Sequence, residues 1–580
     1  MKKLLIGNGA IARGAYEHGI TVATGYPGTP STEITEEIAK FDTINAQWSP
    51  NEKVALEVGI GASIAGARTI VSMKHVGLNV AADPFMSISY PGVNAGLVIA
   101  VADDPGQHSS QNEQDTRYFG MAAKVPVIEP SDSQECKDFV GAALEISETF
   151  DTPVILRLTT RVSHSQSLVT IQDKKDVPLK EYDQNPNKYI VAPAVAKKRR
   201  VIVEDRLRRL EAFAETTTLN KVAYNDLKIG VITSGIAYEY AKEVMPDASF
   251  LKLGLSYPLP KEKITEFVGK CDKVYVIEEL EPIFEEKIRS WGLSVIGKEV
   301  IPTIGELSPA IIRKAIFGKS IQGVEPNFLE EIPNRPPTLC PGCHHRGVFY
   351  VLKKLKLHVS GDIGCYTLAA FPPIASMDTA ICMGASIGMA LGFEKARGKD
   401  FAKKSIAVIG DSTFLHSGIT GLIDVVYNKG NTTTIILDNS ITGMTGHQEN
   451  PGTGYNLKGE PAPVINFEAL GRAIGVKRVQ VVDAYDIEKL EQVIKEELNA
   501  EEPSLIITKK PCILIKRHNI AKRPLKINTD KCIKCKACLK VGCPAISFKD
   551  NKMKINQILC VGCGLCTKVC KFDAIVGGEA

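Results

Sequence analysis

Two cysteine runs near the carboxyl end are spaced for iron–sulfur ligation: Cys532-x2-Cys535-x2-Cys538-x4-Cys543-Pro544 and Cys560-x2-Cys563-x2-Cys566-x3-Cys570. Thiolates at such spacing hold 4Fe–4S clusters, and in two-cluster proteins the fourth cysteine of each run crosses to the other cluster. Cys532, Cys535, Cys538 and Cys570 are therefore expected on one cluster, and Cys543, Cys560, Cys563 and Cys566 on the second. The runs depart from the usual pattern by one extra spacer residue before Cys543 and by Lys571 where proline is usual. Neither change removes a ligand. Zinc sites more often use two well-separated C-x2-C pairs. The chemistry implied is one-electron transfer.

A second constellation lies upstream. "SIAVIGDSTF" at 405–414 and "TTIILDNSITG" at 433–443 read as apolar strands ending in Gly-Asp and Asp-Asn. Ligands in doubly wound sheets sit at the carboxyl ends of strands. Asp411 and Asn439 would then project oxygens toward one point. With the backbone carbonyl of Ile441 they form a hard-oxygen set suited to Mg2+ that also holds phosphate oxygens. Gly410 lets the backbone approach a diphosphate closely. Cys340-x2-Cys343, in "TLCPGCHHRGVFY", is open on residue type alone to a redox pair or to a packing role.

These residues must be positioned by a chain of 580 residues, long enough for three to five domains. Apolar and charged contents of 44% and 23% are those of soluble globular protein. No apolar run is long enough to span a bilayer, and the apolar stretch after Met1 stops at Gly7, too soon for a signal peptide. A cytoplasmic location with no membrane partner is expected, and clustered cysteines there read as metal ligands. The net charge is +4, but residues 521–580 carry +8. Two clusters of about −2 each offset half of that surplus. The rest suits an acidic carrier protein better than nucleic acid, which is not expected as a partner.

Alternating strands and helices predict an α/β fold with parallel sheets. "LVIAVADD" (97–104) and "PVILRLTT" (153–160) read as buried strands, and "NEKVALEVGIGASIAGA" as a helix with small residues on one face. "AVAKKRRVIVEDRLRRLEAFAE" reads as a charged bridging helix. The domains expected are 1–185; a connector, 186–225; 226–331; 332–520; and a ferredoxin-like tail, 521–580. "IPNRPPT" at 332–338 and "KRHNIAKRPLK" at 516–526 mark joints. "GNGAIARG" at 7–14 is a loose glycine loop with no ribose-binding acid at the right distance, so no nucleotide site is expected there. Cys136, Cys271 and Cys382 match no ligand pattern and read as packing residues.

Gly-Asp-Ser with Asn at this distance resembles the magnesium–diphosphate motif of thiamine-diphosphate enzymes. "GYPGTPSTEI" at 25–34 and "NEKVALEVGIGASIAGAR" at 51–68 resemble the pyrimidine-binding segments of the 2-oxoacid:ferredoxin oxidoreductases, and the likeness covers essentially all 580 residues. The resemblance makes 1–185 a pyrimidine-binding thiamine domain, 226–331 a transketolase-C-terminal-like domain and 332–520 a diphosphate-binding domain. It implies that Glu52 serves the aminopyrimidine of thiamine diphosphate, and that Thr29 and His108 face substrate, with Arg117 beside His108. His344 or His345 would face the thiazolium. Ser412, Tyr366, Met383 and Gly384 join Gly410, Asp411, Asn439 and Ile441 around the diphosphate. It also implies a third 4Fe–4S cluster on Cys340, Cys343, Cys365 and Cys512.

The activity implied is oxidative decarboxylation of arylpyruvates, indolepyruvate first, with coenzyme A, giving an aryl-acetyl-CoA and CO2 and reducing ferredoxin. Met444 stands where the pyruvate enzymes carry a substrate-binding asparagine, which counts against pyruvate. The competing readings are a pyruvate or phenylglyoxylate oxidoreductase and a non-oxidative thiamine decarboxylase. The family also implies a smaller beta subunit, in a dimer of heterodimers.

Overall fold

The computed structural model describes residues 1–320, 336–515 and 523–577. The expected joints at 332–338 and 516–526 lie partly outside them. The chain forms two compact units, Met1–Leu329 and Glu330–Ala580. Among the described residues no helix is long and apolar enough to cross a membrane.

The first unit is built on a seven-stranded sheet in the order Leu255–Tyr257, Val127–Ile128, Val154–Thr159, Leu97–Asp103, Thr69–Lys74, Val22–Gly25, Asn45–Trp48. All neighbours are parallel except the first pair. The strands read from "LVIAVADD" and "PVILRLTT" are its centre, and every residue of both is buried. Such strands, covered by helices on both faces, need apolar residues throughout rather than alternation. The helix Glu52–Ile64 is capped by the Asn51 side chain, which accepts the Val54 N–H at 2.9 Å. Its small residues let it lie close to the sheet: a Cβ on Gly59 would stand 2.4 Å from Val71.

A four-stranded sheet follows, in the order Val274–Ile277, Asp226–Thr233, Ala248–Leu253, Asn220–Ala223. The helix Pro193–Thr216, expected as a charged bridge, buries one face through Val203, Arg206, Leu210 and Ala214. The glycine loop at 7–14 is the start of helix Gly7–Glu17, and a Cβ on Gly7 would stand 2.0 Å from the Val162 carbonyl oxygen. That close approach accounts for the glycine without a nucleotide.

The second unit carries a parallel sheet of five strands in the order His358–Ser360, Ser405–Gly410, Thr433–Asp438, Ser504–Lys509, Arg478–Asp483. One apolar core joins Val408, Ile435 and Ile506 of this sheet to Phe349 and Leu352 of helix His345–Leu355 and on to Val541, Leu565 and Val569 of the cysteine-rich tail. The tail therefore packs on the same core that supports the strand ends of this sheet. It holds two antiparallel pairs, Leu525–Ile527 with Ile575–Gly577 and Ile546–Lys549 with Lys552–Ile555.

Candidate active site

Gly410 pairs with Leu437 at the carboxyl edge of the second unit's sheet, so Asp411 and Asn439 leave neighbouring strands on the same edge. A Cβ on Gly410 would lie 2.8 Å from the Tyr366 ring. The Tyr366 hydroxyl accepts the Gly410 N–H at 2.9 Å and donates to the Ile363 carbonyl at 3.1 Å, locking the loop after His358–Ser360 against this strand end.

Asp411 is buried. One carboxylate oxygen accepts the Ser412 N–H at 2.8 Å, and the other has no hydrogen-bond partner among the described residues. Burial pushes this carboxyl up to about 8, Asp438 adds to the rise, and the N–H groups of Ser412, Ser440 and Ile441 oppose it. An orphaned carboxylate oxygen in such a place fits a hard cation. The Asn439 amide oxygen accepts the Ile441 N–H at 3.2 Å. Thr442 Oγ1 donates to Ser412 Oγ at 2.9 Å, tying the two strand-end loops together.

A second Gly-Asp, Gly361-Asp362, ends the strand His358–Ser360 in the same way. Its carboxylate is already engaged. It accepts the N–H groups of Ile363 and Gly384 on one oxygen, at 2.9 and 2.8 Å, and that of Ser386 on the other, at 2.9 Å. It thereby caps the helix Ala385–Arg397. Gly384 is left-handed at φ 86°, and a Cβ there would meet Ser417 at 2.4 Å. Met383 is half-buried beside it, whereas Cys382, expected as a packing residue, is exposed. Met444 is exposed as well.

Cys340 is an electrostatic neighbour of Cys343, Cys365 and Cys512, and Cys365 is one of Cys343 and Cys512. Burial pushes the Cys343 thiol up to about 12 and that of Cys365 to about 11, and each neighbouring sulfur raises them further. The Cys512 N–H donates to the Asn439 carbonyl at 2.8 Å, so this set begins where the oxygen set ends. His344 and His345 are buried with ring centroids 4.1 Å apart, and His345 stacks edge-on to Tyr366 at 5.7 Å. Burial holds both imidazoles neutral, His344 down to about 4. His344 Nε2 and His345 Nδ1 have no hydrogen-bond partner among the described residues.

In the tail, Cys543, Cys560, Cys563 and Cys566 line one cavity and Cys532, Cys535, Cys538 and Cys570 another. Each foursome takes three cysteines from one run and one from the other. Among the described residues no three His, Cys, Asp or Glu side chains converge as they would on a single metal ion. The sulfurs surround a space instead, which suits a cluster rather than zinc.

In the first unit Glu52 is buried at the start of its helix. A Cβ on Gly77 would lie 2.7 Å from the Glu52 carboxylate, so glycine there gives the carboxylate its room. Lys74, which sequence reasoning missed, is buried nearby. Burial pulls its ammonium down to about 8, with Asp104 and Glu52 opposing. It donates to the Ser109 carbonyl at 2.7 Å, and Ser109 Oγ donates to the Thr29 carbonyl at 3.0 Å. Lys74 thus feels the Glu52 charge and is tied through Ser109 to the Thr29 backbone, and its only sequence signal was its place at the carboxyl end of a strand.

Two residues of the 103–119 loop separate. His108 is exposed and pairs with Glu306 at 3.1 Å. Arg117, expected with it to face substrate, is fully buried instead. Its guanidinium bonds Asp115 at 2.6 Å and Glu278 at 2.7 Å and lies over the Phe284 ring. Those partners use its donors up, and a charge so buried needs them.

Three family models match the chain. That of the C-terminal, thiamine-pyrophosphate-binding domain of thiamine pyrophosphate enzymes covers residues 362–508. The thiamine-diphosphate-binding domain of pyruvate flavodoxin/ferredoxin oxidoreductases covers 13–226, and a 4Fe–4S binding domain covers 553–576. The indolepyruvate oxidoreductase subunit IorA of Archaeoglobus fulgidus is 40% identical over 99% of this chain and 97% of its own length. That of Pyrococcus horikoshii is 39% identical over 99% and 96%.

This chain belongs to the IorA family.

The 2-oxoglutarate synthase subunit KorA of Methanothermobacter marburgensis is a more distant relative, 28% identical over 31% of this chain and 50% of its own. A solved 2-oxoglutarate:ferredoxin oxidoreductase from Magnetococcus marinus overlays at a TM-score of 0.46 with 16% identity, over 54% of this chain and 64% of that one. As an IorA family member the chain is a thiamine-diphosphate-dependent 2-oxoacid oxidoreductase with a 4Fe–4S domain.

If the Cys340 set holds a cluster, anaerobically prepared protein should carry about twelve irons, four per cluster. Cys512→Ser should lower that to about eight while leaving both tail clusters intact by electron paramagnetic resonance. About eight irons in the unaltered chain would remove the third cluster.

Proposed function

We propose that this chain is the thiamine-bearing subunit of an enzyme that oxidatively decarboxylates arylpyruvates, indolepyruvate first, to the aryl-acetyl-CoA and CO2. Thiamine diphosphate, when bound, would supply a nucleophilic carbon that adds to the 2-oxoacid ketone and a thiazolium ring that takes up the electrons left by CO2. Asp411, Asn439 and the Ile441 carbonyl would hold its diphosphate through Mg2+. Tyr366, Met383, Gly384, Gly410 and Ser412 would form the surrounding cradle, and Glu52 would hold a proton at its pyrimidine. The cysteine sets would hold 4Fe–4S clusters, which supply one-electron acceptors for passing the electrons on to ferredoxin.

One observation carries the oxidative reading: the Cys512 N–H is bonded to the Asn439 carbonyl, so a cysteine set adjoins the proposed cofactor anchor. A decarboxylase that returned its electrons to carbon would have no use for that adjacency. The substrate reading is supported by the names of the relatives that match along nearly their whole length.

The test is anaerobic viologen reduction with indolepyruvate, pyruvate and phenylglyoxylate, each with and without coenzyme A. Together with a smaller partner subunit of about one domain, indolepyruvate should exceed pyruvate in kcat/KM by about 10-fold or more, since an aromatic group buried in an apolar pocket gains about 1.5–3 kcal/mol. The isolated chain should be nearly inactive with coenzyme A. A preference for pyruvate would overturn the substrate, and full activity of the isolated chain would overturn the partner.

A further inference from the structure

Arg346 is one of the largest fully buried side chains of the protein. Its three hydrogen bonds all go to backbone oxygens. Nε donates to the Cys340 carbonyl at 3.0 Å, Nη2 to the Leu339 carbonyl, and Nη1 to the Gly542 carbonyl. Among the described residues it forms no ion pair with a carboxylate. A buried guanidinium without a counter-charge is costly. The groups around it are sulfurs that become thiolates when they ligate iron: Cys340 and Cys343 from one loop, Cys543 and Cys563 from the tail.

Arg346 also lines the cavity of the Cys543 set. The two loops meet there directly. A Cβ on Gly342 would stand 2.3 Å from Val561, and the Tyr485 hydroxyl, itself beside Cys563, Cys343 and Cys512, donates to the Gly342 carbonyl. Arg346 is not among the residues lining the Cys532 cavity.

The acceptor on the tail side explains a departure in the sequence. Gly542 lies in the four-residue spacer before Cys543, where three residues are usual. It is left-handed at φ 70°, and a Cβ there would stand 3.2 Å from Arg346 Nη1. The longer spacer thus turns a carbonyl toward the guanidinium just before a ligand cysteine. Lysine could not serve equally, because only the planar fork reaches three carbonyls at fixed angles.

We propose that Arg346 is a shared cation between the Cys340 and Cys543 sets, a positioning residue that fixes their separation and raises the reduction potential of both. The inference rests on both sets holding clusters. A fixed positive charge stabilises an added electron, and cluster potentials follow local charge and hydrogen bonding. Its removal must therefore make both centres harder to reduce and leave the Cys532 centre as it was.

The test is a potentiometric titration of the anaerobic holoenzyme, followed by electron paramagnetic resonance, for the unaltered chain, Arg346→Gln and Arg346→Lys. In Arg346→Gln, two of three centres should lose about tenfold in the equilibrium constant for one-electron reduction, or about 59 mV. The third should not move, and iron content should be unchanged. Arg346→Lys, which keeps the charge, should recover most of the shift. Three unmoved midpoints with iron retained, or an equal shift of all three, would overturn the proposal. If both variants lose the same iron, Arg346 is a scaffold only and the proposal fails. Fewer than three centres in the unaltered protein would instead refute the cluster reading beneath it.

Discussion

Asp411→Ala is expected to weaken thiamine-diphosphate binding by more than about 100-fold, beyond the 10–100-fold lost when an outer-shell partner of a metal ligand is removed. Asp411 is the one carboxylate in the proposed oxygen set, and one of its oxygens has no hydrogen-bond partner among the described residues. Isothermal titration calorimetry in magnesium checks it directly, and retained affinity would move the anchor elsewhere.

The same residue sets a pH dependence. Its pKa of about 8 in the fold stands well above the ordinary carboxylate value of about 4. A carboxyl whose folded pKa is raised binds its proton more tightly folded than unfolded. Cation-free protein should therefore lose stability as pH rises from about 4 to about 8, and Asp411→Ala should lose less over that window. Adding magnesium with thiamine diphosphate requires the ionised carboxylate. Below pH 8 it should release a proton, seen as a binding enthalpy that changes with buffer, and its gain in Tm should grow with pH.

Glu52→Gln should bind cofactor with near-normal affinity and lose about 10^2- to 10^4-fold in kcat, the range associated with a positioned acid or base. Glutamine keeps the shape of a side chain already confined by Gly77 and leaves the Asn51 cap untouched. Exchange of the cofactor C2 proton, followed by NMR, should fall with turnover. Glu57 supplies the control. It is half-exposed and paired with Lys53 on the helix surface, so Glu57→Gln should change neither binding nor rate. Normal turnover in Glu52→Gln would remove Glu52 from the chemistry.

What was legible in the sequence was what local pattern carries. Buried parallel strands must be apolar throughout, so "LVIAVADD" announced itself, and "NEKVALEVGIGASIAGA" announced a helix with small residues on one face. Strand ends point ligands to one edge of a sheet, so Asp411 and Asn439 could be paired from 28 positions apart. Arg117 was misread because its partner Glu278 is 161 residues away and nothing near Arg117 in sequence marks it as buried. Lys74 and Arg346 were missed for the same reason, since a single basic residue carries no periodicity and its environment comes from distant backbone. The strand Leu255–Tyr257 lies among residues that otherwise build the four-stranded sheet, yet it pairs with Val127–Ile128 at the edge of the seven-stranded one. A three-residue strand has too little pattern to declare its sheet.

The most direct test of the account adds indolepyruvate anaerobically to the enzyme, loaded with thiamine diphosphate and magnesium and joined to its partner subunit, with no external electron acceptor. The visible absorbance of the iron–sulfur centres should bleach within a single turnover as CO2 appears, and it should not bleach in Asp411→Ala. Release of CO2 with the matching aldehyde, and centres that stay oxidised, would contradict the account.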